Sequence, residues 1–394
     1  MNQEQFLSDR VNSIPPSAIR RFFDLANEMK GSVISLSIGE PDFVTPWNVR
    51  SAGIYSLEDG NTHYSPNQGF IELREAITAY LKRRFNMSYD ARSEVLVTVG
   101  GSEAIDLAVR SLINPGDEVI IPEPCFVAYK ACTLLAGGVP VPVSCSAEND
   151  FKLLPEALER ALTPRTKLLI MGYPNNPTGA VMSRQDLERI ADVLRDRDIF
   201  VLSDELYAEL TYPPQEHCSI SECGDLRDRT IVINGFSKAF AMTGWRIGYA
   251  AGPAVIIAAM NKIHQYAIMS SPTTAQHAAT AALSNGDEAV VEMRNEYNQR
   301  RRFVIDACRK AGLLSFEPLG AFYAFPNITA TGLSSTEFCE RFLKEEKVAI
   351  VPGNAFGDCG EGYVRISYAA SMENIREAML RLNRFVGRLI NQEN

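Results

Sequence analysis

The chain has 394 residues, with 39 basic and 48 acidic side chains and a formal net charge of −9 at pH 7. Apolar residues make up 46% and charged residues 22% of the chain, which is close to the average of globular proteins and excludes a wholly disordered chain. The length suffices for roughly two or three domains. An acidic chain is a poor ligand for nucleic acid, because that affinity depends on clustered lysine and arginine.

The N-terminal residues and the cysteines bear on where the protein is found. Residues 1–14 contain no charged segment followed by an apolar stretch, so no signal peptide is predicted. No window approaches the ~18 consecutive apolar residues that a membrane span needs. The eight cysteines contain no C-x-x-C pair, and Cys218 and Cys223 have only His217 beside them, so we predict reduced thiols and no metal site. The sequence therefore predicts a cytoplasmic protein without contact to a membrane.

A helix is predicted over residues 16–29, and further along the chain short β-branched runs alternate with helical patterns. These runs are residues 95–99, 118–121, 167–171, 199–203 and 231–233. Between two of them, residues 184–195 repeat apolar side chains at helical spacing. Near-continuous apolar strands separated by helices predict an α/β domain with a mostly parallel sheet that is covered on both faces.

The pattern changes after about residue 285, where long charged helices over residues 287–312 and 335–345 are interleaved with short strands. We predict a second, smaller α+β domain there. The predicted division is an N-terminal arm with part of the small domain at 1–45, a large domain at 46–285 and the small domain at 286–394. The basic runs at 82–84 and 300–302 lie within helical patterns rich in Glu, and we interpret both as solvated helix faces.

Ligands of open α/β sheets bind at the carboxyl ends of the strands, so the residues that follow each strand are candidates for a site. Residues 98–104 run from a strand through Gly100 and Gly101 into a helix, where free N–H groups bind phosphate well, and Ser102 adds a hydroxyl donor. A plain turn capped by Ser102 explains the same residues. The absence of G-x-G-x-x-G and of a P-loop motif argues against the dinucleotide and nucleoside-triphosphate versions of such a site.

Two more strands end in an amide and a carboxylate. Asn176 lies in Y-P-N-N-P-T-G, where two prolines and a glycine fix the turn. Asp204 ends a buried strand, where a carboxylate needs a cationic partner. Tyr207, three residues later, is near enough to share a ligand with Asp204. An ordinary turn around Asn176 and a helix cap by Asp204 are the alternatives.

An amine and two guanidinium groups complete the set of polar residues. Lys238 lies in the apolar stretch G-F-S-K-A-F-A-M, where burial would lower its pKa and make its amine nucleophilic. Arg246, eight residues later, has the fork geometry that suits a phosphate. Arg365 lies at the centre of a strand pattern and suits bidentate binding of a carboxylate. A surface lysine and a cross-strand ion pair are the alternative interpretations.

Together, the motifs N-N-P-T-G, S-D-E-L-Y and G-F-S-K-A-F-A-M-T-G-W-R-I-G resemble the class I/II pyridoxal-phosphate-dependent aminotransferases of fold type I. The resemblance extends from residue 35 to Arg365. The stretch around Lys238 is most similar to the prokaryotic aspartate, aromatic and diaminopimelate-type aminotransferases. The resemblance implies a large domain with a mostly parallel seven-stranded sheet, a smaller α+β domain, and transfer of an amino group from an L-amino acid to a 2-oxo acid. It further implies 2-oxoglutarate as the acceptor and a ping-pong mechanism.

The resemblance also implies the residues that hold the cofactor. Pyridoxal 5′-phosphate would be bound by Gly101, Ser102, Phe126, Asn176, Asp204, Tyr207, Ser237, Lys238 and Arg246. Lys238 would form the covalent link and move the substrate proton, Asp204 would keep the ring nitrogen protonated, and Tyr207 would hydrogen-bond the ring oxygen together with Asn176. Phe126 would stack on the ring. Gly235 stands where many relatives carry Ser or Thr.

Substrate and subunit contacts are implied in the same way. The substrate would be bound by Gly39, Phe126, Asn176 and Arg365, with the α-carboxylate on Arg365. Tyr64 matches the tyrosine that reaches the cofactor phosphate of the partner subunit, which implies a homodimer with active sites at the subunit interface.

The sequence leaves alternatives open for both the substrate and the reaction. A pyridoxal-phosphate-dependent lyase or synthase of the same fold, such as a C–S lyase, would share the lysine, aspartate, tyrosine and arginine. No motif marks an arginine for a second substrate carboxylate. The amino donor therefore stays open among aspartate, aromatic, diaminopimelate-type and broader classes.

Overall fold

The computed structural model describes residues 3–14 and 33–392. The helix predicted over residues 16–29 lies outside the described residues. The strands are β1 (Ile34–Ser35), β2 (Val95–Thr98), β3 (Glu118–Glu123), β4 (Val139–Ser144), β5 (Thr166–Gly172), β6 (Phe200–Asp204), β7 (Thr230–Gly235), β8 (Gly248–Ala251), β9 (Tyr323–Ala324), β10 (Val348–Ala349), β11 (Val351–Pro352) and β12 (Val364–Ser367).

The helices follow the amphipathic patterns of the sequence. They are α1 (Asp9–Asn12), α2 (Trp47–Glu58), α3 (Ile71–Phe85), α4 (Gly100–Leu112), α5 (Ala128–Ala136), α6 (Pro155–Ala161), α7 (Arg184–Leu194), α8 (Ala254–Ala267), α9 (Thr273–Asn285), α10 (Asp287–Lys310), α11 (Ser335–Glu346) and α12 (Met372–Gln392). Short 3₁₀ turns lie between them, among them Ala208–Leu210, Ile220–Glu222 and Thr243–Trp245.

The central sheet has seven strands in the order β2-β8-β7-β6-β5-β3-β4. Strand β8 runs antiparallel to β2 and β7, and the pairs from β7 to β4 are parallel. The prediction of a mostly parallel α/β sheet is confirmed. The five predicted runs correspond to β2, β3, β5, β6 and β7. They omit β4, an edge strand that contains two prolines, and β8, which has the sequence G-Y-A-A without a β-branched residue.

Helices cover both faces of this sheet because successive strand residues point to opposite sides. In β5, Leu168 packs with the core under α4 and α8, whereas Leu169 packs with the core under α7. The buried face of α7 consists of Leu187, Ile190, Ala191 and Leu194. The register pairs Gly172 with Asp204, which aligns the carboxyl ends of β5 and β6.

The C-terminal part of the chain forms the second, α+β unit. Strands β11, β12 and β9 form an antiparallel sheet, and α10, α11 and α12 pack around an aromatic core that includes Phe322, Phe338 and Phe385. Strand β1 pairs with β10 of this unit in parallel. The boundaries at residues 45/46 and 285/286 stay a prediction.

The interpretation of the basic run at 300–302 as a solvated face is wrong for two of its residues. Arg300 and Arg301 are each 5% exposed. Arg300 pairs with Asp42, and Arg301 pairs with Glu317. Because both side chains lie on the inner face of α10, they join this helix to other segments instead of facing water; Arg302 is exposed.

No helix among residues 3–14 and 33–392 is long and apolar enough to cross a membrane.

Candidate active site

A cavity of about 210 Å³ lies where β5, β6 and β7 end. It is lined by eleven of the twelve residues that the sequence predicts for the site. They are Gly39, Gly101, Ser102, Phe126, Asn176, Asp204, Tyr207, Ser237, Lys238, Arg246 and Arg365. These residues come from widely separated parts of the chain, and the aligned carboxyl ends of the parallel strands bring them together.

Lys238 follows β7 in a segment whose other side chains are buried, namely Phe236, Ala239 and Phe240. The amine donates a hydrogen bond to the backbone oxygen of Gly39, with 2.7 Å between Nζ and O. The surrounding protein excludes water from the amine and lowers the pKa of Lys238 to about 8. At pH 7 roughly a tenth of this amine is therefore uncharged and nucleophilic, and at pH 8 about half is.

Asp204 ends β6 at the cavity wall. Its carboxylate accepts a hydrogen bond from the Tyr129 hydroxyl, with 2.7 Å between oxygens, and one from the Leu206 N–H at 3.2 Å. Removal from water raises the pKa of Asp204 although these hydrogen bonds oppose the shift. The sequence predicts a cationic partner for Asp204. Among residues 3–14 and 33–392, no cationic side chain is paired with its carboxylate. A cation supplied by a ligand in the cavity would fill that role.

The N-terminus of α4 and Arg246 together form a site for an anion. Gly100 has a φ of +77°, and a Cβ atom there would stand 2.7 Å from Nη2 of Arg246. Gly101 and Ser102 form the next positions of the first turn, whose N–H groups are free of intrahelical partners. A guanidinium beside a helix N-terminus favours a phosphate group.

Ser237 is 5% exposed and lines the same cavity. The absence of a side chain at Gly235 has a steric reason. Gly235 pairs with Gly248 across β7 and β8, and a Cβ atom at Gly235 would lie 3.0 Å from the Gly248 Cα atom. A larger residue would press these two strands apart.

Arg365 lies on β12 with 2% exposure. Its Nη1 donates to the side-chain oxygen of Asn176 at 2.9 Å, and its Nη2 donates to the backbone oxygen of Ser37. Its buried Nε has no partner, and no carboxylate of the described residues pairs with it. The cross-strand ion pair is therefore not what the structure contains, and the guanidinium keeps donors for a carboxylate in the cavity.

Tyr64 is the predicted residue that does not line this cavity. Its side chain is 82% exposed. Its role toward the partner subunit's cofactor stays a prediction, since a residue that acts across an interface is expected to be exposed in a single chain.

Two tyrosines of the cavity were missed by the sequence analysis. Tyr129 is the hydrogen-bond donor to Asp204, and Tyr323 of β9 has its hydroxyl oxygen 2.7 Å from that of Tyr207. Tyr129 lies one helical turn after Phe126, a spacing that could have placed it beside the same ligand. Tyr323 lies in the apolar run G-A-F-Y-A-F, where nothing in the sequence separates it from a core residue.

The donor set fits pyridoxal 5′-phosphate. Arg246 and the α4 N-terminus suit its phosphate, the uncompensated carboxylate of Asp204 suits a protonated ring nitrogen, and the amine of Lys238 suits its aldehyde. Phe126 provides an aromatic face in the same cavity.

Comparison with known proteins agrees with this geometry. Residues 31–382 match the family Aminotransferase class I and II. The aspartate aminotransferase of Pyrococcus abyssi is 47% identical over 380 residues, which cover 96% of this chain and 97% of that protein. The aromatic-amino-acid aminotransferase 2 of Thermococcus litoralis is 45% identical with the same coverage. The structure of the Thermus thermophilus aspartate aminotransferase with maleate superposes with a TM-score of 0.92 at 39% identity, covering 96% of this chain and 99% of that one.

The fold and its structural neighbours define a fold type I enzyme. The chain belongs to the class I and II aminotransferases, whose cofactor is pyridoxal 5′-phosphate.

Proposed function

We propose that this aminotransferase moves the amino group of an L-amino acid to 2-oxoglutarate by a ping-pong mechanism, in which the first 2-oxo acid leaves before the acceptor binds. The observation that carries the proposal is the set of groups in one cavity. They are an amine with a pKa of about 8 at Lys238 and, among residues 3–14 and 33–392, a carboxylate without a paired cation at Asp204 and an unpaired donor on Arg365. These are the groups that amino transfer from a carboxylate-bearing substrate requires.

Pyridoxal phosphate, when bound, withdraws electrons from the bonds at the substrate's α-carbon. We assign the covalent attachment and the movement of the α-proton to Lys238, because its amine is nucleophilic and basic in the accessible pH range. Asp204, whose carboxylate Tyr129 orients, would hold the ring nitrogen protonated. Tyr207 and Asn176 would hydrogen-bond the ring oxygen, and Phe126 would stack on the ring. Gly101, Ser102, Ser237 and Arg246 would hold the phosphate.

Arg365 is proposed to bind the substrate α-carboxylate, with Asn176 and the backbone at Gly39 beside it. In the structure, Asn176 and Ser37 occupy two donors of Arg365, and Gly39 accepts from Lys238. An entering carboxylate would replace the neutral carbonyl of Ser37 with a negatively charged acceptor, so that both partners of the hydrogen bond carry charge and the bond is stronger.

A homodimer is proposed because a segment with exposed apolar side chains is hydrogen-bonded to the segment that holds the exposed Tyr64. Tyr266, Ile268 and Met269 are 89%, 46% and 45% exposed. They are tied to the Tyr64 segment, since Asn67 donates to the Met269 backbone oxygen at 2.7 Å. Clustered apolar surface of this kind marks an interface.

We place the enzyme in the cytoplasm because its eight cysteines are free thiols.

The first test is an absorption spectrum of the purified enzyme during addition of amino acids, one at a time. Aspartate and the aromatic amino acids come first, because similar enzymes are named for them, followed by diaminopimelate. We expect the visible band to bleach with one of these donors, the matching 2-oxo acid to form, and the band to return with 2-oxoglutarate. Parallel initial-velocity lines would support the ping-pong order.

The same experiment distinguishes the lyase. Release of ammonia or a thiol, with no amino product formed from any 2-oxo acid, would contradict amino transfer. A band that bleaches and returns only with other 2-oxo acids would correct the acceptor alone.

A further inference from the structure

Two buried phenols meet in the wall of the cavity. Tyr323 of β9 and Tyr207, three residues after β6, have hydroxyl oxygens 2.7 Å apart, and Tyr323 is 1% exposed. Burial raises the pKa of both phenols, so both carry their protons at neutral pH. A hydrogen bond between two hydroxyl groups uses only one of their two protons. The second proton is therefore available for another acceptor.

Either phenol can donate in this hydrogen bond, and the surroundings of Tyr323 favour Tyr323 as the donor. A Cβ atom on Gly39 would stand 1.9 Å from the Tyr323 oxygen, so the backbone of Gly39 encloses this hydroxyl on one side. The Arg365 guanidinium, which has no acceptor, lies 4.5 Å above the ring. In the part of the chain that the structure describes, the Tyr323 hydroxyl has one hydrogen bond, to Tyr207. Donation from Tyr323 to Tyr207 leaves the Tyr207 proton free to turn toward the cavity.

We propose that Tyr323 is a positioning residue for amino transfer: its hydroxyl donates to Tyr207 and directs the Tyr207 proton to the ligand in the cavity, while its ring supports the Arg365 guanidinium. The inference rests on the proposed function, in which Tyr207 contacts the cofactor and Arg365 binds the substrate carboxylate. It explains why Gly39 has no side chain, since any Cβ atom there would displace the Tyr323 hydroxyl.

The two contacts of Tyr323 predict two separable effects. The hydroxyl acts on Tyr207, so Tyr323→Phe removes that effect and keeps the ring under Arg365. The ring acts on Arg365 by a cation–π contact, so Tyr323→Leu removes both. The matched control is Tyr249→Phe, because Tyr249 is 1% exposed on β8, does not line the cavity, and has no hydrogen-bond partner for its hydroxyl among the described residues.

The test measures the pH midpoint of the visible absorption band in the cofactor-loaded enzyme, together with kcat and KM. Tyr323→Phe, Tyr207→Phe and the double variant are compared. We expect Tyr323→Phe to raise the midpoint in the same direction as Tyr207→Phe, because a hydrogen bond to the ring oxygen stabilises its charged form. The double variant should shift no further than Tyr207→Phe, since Tyr323 acts through Tyr207.

The kinetic constants kcat and KM should distinguish the effect of the Tyr323 hydroxyl from the effect of its ring. Tyr323→Phe should lower kcat by about two- to tenfold, the effect of one hydrogen bond, with an unchanged KM for the amino donor. Tyr323→Leu should in addition raise that KM by about two- to fivefold. Melting temperatures of all variants show whether each is folded, and Tyr249→Phe should match the unchanged enzyme in every reading.

Each contrary result has a distinct meaning. A midpoint that moves in Tyr207→Phe but not in Tyr323→Phe overturns the inference and leaves the role of Tyr207 intact. Additive shifts in the double variant overturn it as well, because Tyr323 would then act independently. An equal shift in Tyr249→Phe would mean that loss of any buried phenol has this effect. A midpoint that is unmoved in Tyr207→Phe refutes both the inference and the proposed role of Tyr207.

Discussion

Lys238 combines a charged functional group with apolar neighbours, and this combination sets the pH range in which its amine can react. Burial between Phe236, Ala239 and Phe240 disfavours the ammonium form. The cationic groups of Arg365 and Arg246 lower the pKa further, and Glu40 acts against them. No carboxylate of residues 3–14 and 33–392 forms an ion pair with the amine, so burial has the largest effect on its pKa.

The first prediction concerns the titration of Lys238 in the enzyme freed of cofactor. Because its pKa is lowered to about 8, its reaction with acetic anhydride should rise with pH and level off above about 8. An ordinary solvated lysine would level off only above about 10.4. Competitive labelling, followed by mass spectrometry of the Lys238 peptide, measures this. The exposed Lys344 serves as the reference for the reagent. A midpoint of Lys238 near the ordinary lysine range would contradict a desolvated amine.

The second prediction concerns Arg365, whose buried Nε has no partner in the part of the chain that the structure describes. Arg365→Ala should raise KM for the amino donor by about ten- to a hundredfold, because a charged hydrogen bond to the carboxylate contributes ~1.5–3 kcal/mol. Arg365→Lys should recover only part of this, because an ammonium group cannot bind a carboxylate in bidentate fashion. Steady-state kinetics measure both, with Arg302→Ala, an exposed arginine, as the control. An unchanged KM for every donor would refute the role of Arg365.

At the scale of elements, strand β8 supports the first turn of α4. A Cβ atom on Gly248 would lie 2.7 Å from the carbonyl carbon of Gly100 and 2.8 Å from the nitrogen of Gly101. The helix can therefore begin directly against the sheet only because β8 has a glycine at this position. This close approach fixes where the free N–H groups of α4 point, and so where a phosphate can lie.

The third prediction is that Gly248→Ala weakens cofactor binding through this contact. Overpacking of ~1–3 kcal/mol should displace the start of α4, lower the melting temperature and raise the dissociation constant for pyridoxal phosphate by about tenfold or more. Gly387→Ala in α12 is the control, since its Cβ would meet nothing within 4 Å and a helical alanine should stabilise by ~0.5–1 kcal/mol. Equal cofactor affinity in both variants would show that β8 does not set the phosphate site.

At the scale of the whole molecule, the cavity joins segments from both ends of the chain. The segment around Gly39 is joined to the end of β7 by the Lys238 contact and to α10 by the Arg300–Asp42 ion pair at 2.7 Å. Arg365 reaches the same place from β12. Tyr64, by contrast, is exposed, and in the proposed homodimer it completes the site of the other subunit.

The fourth prediction tests this arrangement by mixing inactive subunits. Lys238→Ala should abolish amino transfer in a folded protein, and Tyr64→Ala should lose activity at limiting cofactor. In a mixed dimer, one site combines an intact Lys238 with an intact Tyr64 from the partner. Refolding the two variants together should restore roughly a quarter of the normal activity at limiting cofactor, whereas each alone stays inactive. Sedimentation gives the oligomeric state. Mixtures without any recovery, in a protein shown to be dimeric, would contradict the role of Tyr64.

The sequence alone determined those features of this protein that depend on residues adjacent in the chain. Alternating β-branched runs and amphipathic helices determined the α/β class, because backbone periodicity depends on neighbouring residues. Lys238 was recognisable because its neighbours in the chain are apolar. The strand–glycine–helix segment at Gly100 and Gly101 predicted an anion site, which also depends only on residues adjacent in the chain. The resemblance of the motifs to a known family supplied further site residues, such as Gly39 and Phe126, and eleven of the twelve predicted residues line one cavity.

The tertiary structure decided everything that depends on residues distant in the chain. From the sequence, Tyr323 cannot be distinguished from a core residue. The fold places it in β9 beside Tyr207, which is 116 residues away in the chain. The sequence pattern predicts that Arg300 and Arg301 face solvent, but the packing of α10 buries both. Strand β8 has no strong strand propensity of its own, and its pairing with β2 and β7 forms it. Sequence patterns record only local propensities, whereas these positions follow from sheet order and helix packing, which depend on contacts across the whole chain.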